Sequence, residues 1–137
     1  MINSIDEFKY YIGDVILYSQ TIEHDCKYIY ALMVDGDFKK NYDEIKRETL
    51  GNIVTMLERL DFSDDNPYIS ADSYSFLKKV VSIRNYWVHQ GFIEFVYSDN
   101  RFKFGKACDR LFKEWNLLKK LSEVVQDVRI KYYNKMI

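Results

Sequence analysis

The stretch SIRNYWVHQGF, residues 82–92, places Arg84, Asn85 and His89 within six positions of one another. These residue types suit cleavage of an RNA phosphodiester without a metal. An imidazole ordinarily titrates near about pH 6.5, so it can give or take a proton at neutral pH. A guanidinium stays charged and offers a planar fork of donors that matches two phosphate oxygens. An asparagine amide can donate to a phosphate oxygen or fix the imidazole tautomer. RNA carries its own nucleophile, the ribose 2′-hydroxyl. The protein then has to supply a proton acceptor and a stabiliser for the charge that develops on the phosphorane. One histidine is thin for two proton transfers. A two-fold dimer that sets two copies of the segment side by side would supply two.

On a helical wheel Lys78, Ser82, Asn85 and His89 follow one another at steps of four, three and four, which makes a continuous polar stripe. Arg84 is expected at the border of this stripe, its stem on apolar surface and its guanidinium reaching the polar side. A solvated helix face would show the same stripe, so the spacing alone leaves both readings open. His24, the second histidine, lies in IEHDC and faces away from the apolar seam that holds Ile22 and Cys26. It reads as a surface residue. A metal role with Glu23 and Asp25 is not expected, because adjacent helix positions point apart.

The elements that must carry these residues are helical. Ser4 and Glu7 form a capping-box pattern. Behind it Ile5, Phe8, Ile12, Val15, Ser19, Ile22, Cys26, Ile29 and Met33 recur at alternating steps of three and four, the seam of a bundle helix. VDGD (34–37) ends it, with Gly36 as the natural cap. FKKNYDEIKRE is charged and could begin a short helix, and TLGNIVTMLERL (49–60) reads as a second helix. DFSDDNPYIS (61–70) is a loop. A third helix is expected from Ser70, its N-cap, to the neighbourhood of His89. The last covers roughly 102–134, with Phe104, Cys108, Leu111, Trp115, Leu118, Val125 and Val128 in register and Ser122 the polar exception. Residues 92–104 could form a short hairpin around SDN. The helical neighbours favour a helical extension, a turn and the start of the last helix.

The whole chain, 1–137, therefore reads as a single all-α domain, an up-and-down bundle of about four to five helices. The third helix is apolar on two sides: Phe76, Val80, Ile83 and Trp87 on one, Tyr74, Leu77, Val81 and Val88 on the other. Two apolar stripes predict that one faces a second subunit, so a homodimer is expected.

A single proline and five glycines among 137 residues argue against a sandwich of many short strands. No signal peptide is visible in MINSIDEF, and no run of about 18 apolar residues appears that could span a membrane. Cys26 and Cys108 have no metal-ligand spacing and read as buried thiols of a reducing, cytoplasmic compartment. No cofactor or metal motif is present. The net charge of −1 hides a gradient: residues 1–72 hold 7 Lys/Arg against 15 Asp/Glu, and residues 101–137 hold 10 against 4. The basic end either attracts nucleic acid or complements the acidic first helix. Lys78 and Ser82 on the stripe, with Arg101, Lys103 and Lys106 at the start of the last helix, are the candidate RNA contacts.

RNYWVH resembles the signature of HEPN domains, an Arg followed after four to six residues by a His, with Asn often next to the Arg. The helix order is similar too, with the motif near the end of the third helix of a small bundle and TLGNIVTMLERL like the helix that precedes it in some prokaryotic members. The resemblance implies a metal-independent endoribonuclease, a toxin or phage-defence component, acting as a homodimer with a composite cleft. Arg84 and His89 would be catalytic and Asn85 supporting. It also implies an antitoxin as a partner. In toxins paired with a minimal nucleotidyltransferase antitoxin, a tyrosine usually lies two residues after the His; here HQGF puts Gly91 there. The alternative is a catalytically silent HEPN-like bundle that serves as an interaction protein.

Overall fold

The computed structural model describes residues 1–96 and 101–136. Its described elements are all helical: α1 (Ile5–Met33), α2 (Phe38–Ile45), α3 (Leu50–Asp61), α4 (Ala71–His89), the single turn α5 (Ile93–Val96) and α6 (Arg101–Met136). The two long helices, α1 and α6, pack along each other, and α2, α3 and α4 close around α1. None of the described helices is long and apolar enough to cross a membrane.

The first four helices each start on a capping side chain. The hydroxyl of Ser4 accepts from the Glu7 amide at 3.1 Å, and Asp37, Thr49 and Ser70 cap α2, α3 and α4 in the same way. The seam of α1 is buried from Phe8 through Ile12, Val15, Ser19, Ile22 and Cys26 to Ile29, whereas its ends, Ile5 and Met33, emerge from the core. Ser19 is tolerated there because its hydroxyl donates to the Val15 carbonyl at 2.7 Å. Gly36, with φ of 108°, occupies the left-handed region just beyond α1. The side chain of Asn41 reaches back from α2 and donates to the carbonyls of Ala31 (3.2 Å) and Val34 (3.0 Å), which satisfies carbonyls left open at the end of α1.

The loop before α4 is tied down by one buried carboxylate. Asp61 accepts from the amides of Tyr68 (2.8 Å) and Ile69 (3.0 Å) and from the Tyr74 hydroxyl (2.7 Å). Charge on a buried carboxylate is favoured when several donors converge on it. Burial first, and then this hydrogen bond, push the Tyr74 hydroxyl pKa well above its ordinary value.

Helix α4 corrects the two-stripe expectation. Val80, Ile83 and Trp87 from one stripe and Tyr74 and Leu77 from the other are all buried within the chain. The reason is that α4 is flanked by α1, α3 and α6 together, so a wide apolar surface is used internally. Only Phe76 (41% exposed) and Val88 (51%) remain outward. A dimer through α4 therefore does not follow from a spare apolar stripe.

Segment 92–104 is helical on both described sides, as α5 and as the first turn of α6, and the SDN stretch lies outside the described residues. An aromatic cluster holds this end of the bundle. Phe8 of α1 is fully buried with its ring centroid 5.9 Å from Trp87, 5.4 Å from Phe92, 5.0 Å from Phe95 and 5.7 Å from Phe104. Edge-on packing of this kind adds to the area it buries. It fixes the end of α4, where His89 sits.

Candidate functional site

Lys78, Ser82, Asn85 and His89 lie, as their spacing predicts, on one exposed face of α4. Lys78 is not free for a ligand: its Nζ is 2.7 Å from Glu58 Oε1 on α3. The Ser82 hydroxyl donates to the Lys79 carbonyl at 2.9 Å. His89 is the last residue of α4 and is exposed.

Arg84 departs from expectation. Its Nη1 lies 3.8 Å from Glu23 Oε1, so the guanidinium is directed to α1 rather than to the polar stripe. Five residues of helix separate Arg84 from His89 by about 140° around the axis. The Leu77–Val81–Val88 seam lies between Arg84 and the stripe. Within one chain the structure does not bring Arg84 and His89 into one site. Glu23 also accepts from Lys27 Nζ at 3.1 Å, and Lys27, itself buried, donates to the Lys46 carbonyl at 2.8 Å.

The segments that follow His89 carry exposed apolar residues. Val88, Ile93 and Val96 are each about half exposed or more, and Phe102, at the start of α6, is 68% exposed. Behind the turn Gly91 is buried, and a Cβ there would meet the Trp87 carbonyl oxygen at 2.7 Å and its ring at 3.0 Å. The chain folds back onto α4 so closely that no side chain fits at this position. The expected candidates Arg101, Lys103 and Lys106 are exposed on the first turns of α6, with Lys106 4.8 Å from the centre of the Phe102 ring.

Two recesses were not foreseen in the sequence. The first, about 420 Å³, lies between α1 and α6 and includes Tyr18, His24, Asp25 and Arg129. His24 is exposed, as expected, yet its Nδ1 is 3.3 Å from Asp25 Oδ1. Adjacent helix positions thus meet here, because both side chains bend into the cleft. Arg129 Nε sits 3.1 Å from Asp25 Oδ1, an ion pair by distance rather than an aligned hydrogen bond. Among the described residues no group of three or more His, Cys, Asp or Glu could hold a metal ion.

The second recess, about 600 Å³, lies between α4 and α6. Its α4 wall carries Lys79, Ser82 and Tyr86, and its α6 wall carries Arg110, Lys113 and Glu114. Glu114 accepts from Trp87 Nε1 at 2.9 Å and from Arg110 Nε at 3.1 Å, and the Arg110 guanidinium lies 3.5 Å from the centre of the Tyr86 ring. The signal for this groove was present in the regular spacing of cations along α6.

Searched against protein-family models, curated proteins and solved structures, the chain finds no significant match.

Proposed function

We propose that the chain is a metal-independent endoribonuclease of the HEPN type, a toxin or phage-defence component, that cleaves RNA in a cleft shared by two copies. The observation that supports this best is the setting of His89. It is exposed at the end of a polar helix face, and the neighbouring Val88, the following turn α5 with Ile93 and Val96, and Phe102 at the start of α6 are exposed apolar residues. Such exposed apolar residues favour contact with another surface. A second copy packed there would bring its own His89 and Arg84 to the same cleft, and so would repair the separation of Arg84 from His89 within one chain.

In that cleft one His89 accepts the proton of the ribose 2′-hydroxyl as its oxygen attacks phosphorus. The bond from phosphorus to the 5′-oxygen breaks, and the second His89 protonates the leaving oxygen. The products are a 2′,3′-cyclic phosphate and a 5′-hydroxyl. Arg84 stabilises the charge on the non-bridging oxygens, and Asn85 orients the imidazole or donates to the same oxygens. Gly91 offers no hydroxyl for an antitoxin to modify, so an antitoxin partner would act by binding.

The competing reading, a catalytically silent interaction protein, draws on the Arg84–Glu23 pair, which gives Arg84 a partner within the chain without any substrate. Light scattering at micromolar concentration and RNA cleavage in EDTA decide between them. A mass of two 16.5 kDa chains and cleavage lost in Arg84→Ala support the ribonuclease. A dimer that never cuts RNA supports the interaction protein.

A further inference from the structure

Five cations of α6, Lys103, Lys106, Arg110, Lys113 and Lys120, recur at steps of three, four, three and seven. They share one flank of the helix, with one charge on nearly every turn of about 5.4 Å. This flank borders the α4–α6 groove, since Arg110 and Lys113 line it. On the opposite wall Lys79, Ser82 and Tyr86 lead at steps of three and four to His89, three residues further on.

The two helices run in opposite directions. Tyr68, just before α4, meets Tyr132 and Lys135 near the end of α6, whereas Trp87 meets Glu114 and Phe95 meets Phe104. The α6 cations beyond the groove, Lys106 and Lys103, therefore continue toward the end of the bundle that carries His89. The acidic α1 does not neutralise them: among the described residues the ion pair that joins α6 to α1 is Arg129–Asp25, far along the helix. Among the described residues Lys79, Lys103, Lys113 and Lys120 have no carboxylate partner.

We infer that the α4–α6 groove holds the sugar-phosphate backbone of single-stranded RNA, with Lys79 and Lys113 on phosphates from opposite walls and the α6 cations guiding the strand to His89. The inference rests on the ribonuclease reading and adds the path of its substrate. Cations on both walls of a recess that Ile83 and Leu117 also line fit a charged polymer lying in the groove. A lipid surface calls for the reverse order, with apolar side chains in front of the cations. The Arg110 guanidinium, held over the Tyr86 ring and bonded through Nε to Glu114, keeps its other donors for a phosphate or a base.

The test is binding of a fluorescein-labelled oligouridylate to the His89→Ala protein in EDTA, followed by anisotropy over a range of salt. Lys79→Ala with Lys113→Ala should weaken binding about tenfold or more and flatten the slope of log K against log salt by about 1.4, the value for two phosphates of a single strand. Lys39→Ala with Lys40→Ala on α2 should leave both unchanged. Equal affinity and slope in the groove variant would overturn the inference, as would the absence of RNA binding. Polyglutamate that competes as well as unlabelled RNA of equal charge would overturn it in favour of an acidic protein partner. Cleavage by the wild-type protein is a separate readout. RNA bound in the groove but never cut removes the ribonuclease reading alone. RNA cut at full rate by the groove variant removes the groove alone.

Discussion

Arg84 and His89, five residues apart on α4, leave the helix in different directions: Arg84 reaches Glu23 on α1 at 3.8 Å, and His89 stands exposed at the last turn. The pair is loose and each partner is about one-third exposed, so it contributes little to stability. Glu23 carries more weight, because it is also the carboxylate that serves the buried Lys27 ammonium. Arg84→Ala should therefore cost less than about 1 kcal/mol. Glu23→Ala should cost about 1–3 kcal/mol, the range for a buried group left short of a partner. Urea unfolding of the two variants checks this, and equal losses would show that Lys27 does not depend on Glu23.

Alkaline pH should weaken the fold through two buried groups, Cys26 and Tyr74. Burial pushes the Cys26 thiol from 9.0 up to about 12, with Asp25 and Glu23 adding to it. Burial and the Asp61 hydrogen bond raise the Tyr74 hydroxyl above 10.0. Both groups hold their protons more tightly folded than unfolded. Their stabilisation is complete below about pH 9 and falls as pH rises, while the unfolded thiol and phenol ionise. Urea midpoints should be flat from pH 7 to about 8.5 and then decline, less steeply in Cys26→Ala. A midpoint that holds or rises above pH 9 would contradict the burial of these groups.

Gly91, two residues after His89, closes the turn from α4 to α5. Here a Cβ would stand 2.7 Å from the Trp87 carbonyl oxygen, a backbone atom that cannot turn aside. Gly91→Ala should cost about 1–3 kcal/mol through overpacking, and Gly91→Tyr should force the α4–α5 turn apart. Thermal unfolding measures both. A Gly91→Tyr protein as stable as wild type would mean that the turn adopts another path.

Much of this architecture was legible in the sequence because local rules and packing agree. The α1 seam, the Ser70 cap and the polar face of α4 needed only the 3.6-residue period and capping chemistry. The burial of α4 was not legible, since Tyr74 and Trp87 can be recognised as apolar but not as facing different neighbours of one chain. The direction of Arg84 depended on Glu23, 61 positions earlier, and the side-chain reach of a guanidinium leaves it free to go either way. The contact of His24 with Asp25 ran against the rule that adjacent helix positions diverge, because Arg129 of α6 draws the carboxylate into the cleft. The α6 cations were visible singly. Their meaning as one wall of a groove required Lys79 opposite them.

The central claim, that His89 transfers protons in RNA cleavage, is tested most directly by the rate of RNA cleavage against pH in EDTA for wild type, His89→Ala and a mixed dimer with one altered copy. Wild type should cut without a metal, and its rate should depend on pH. His89→Ala should keep its fold and lose about 10²–10⁴-fold in rate, and the mixed dimer should retain less than half the activity. Equal rates for wild type and His89→Ala would contradict it.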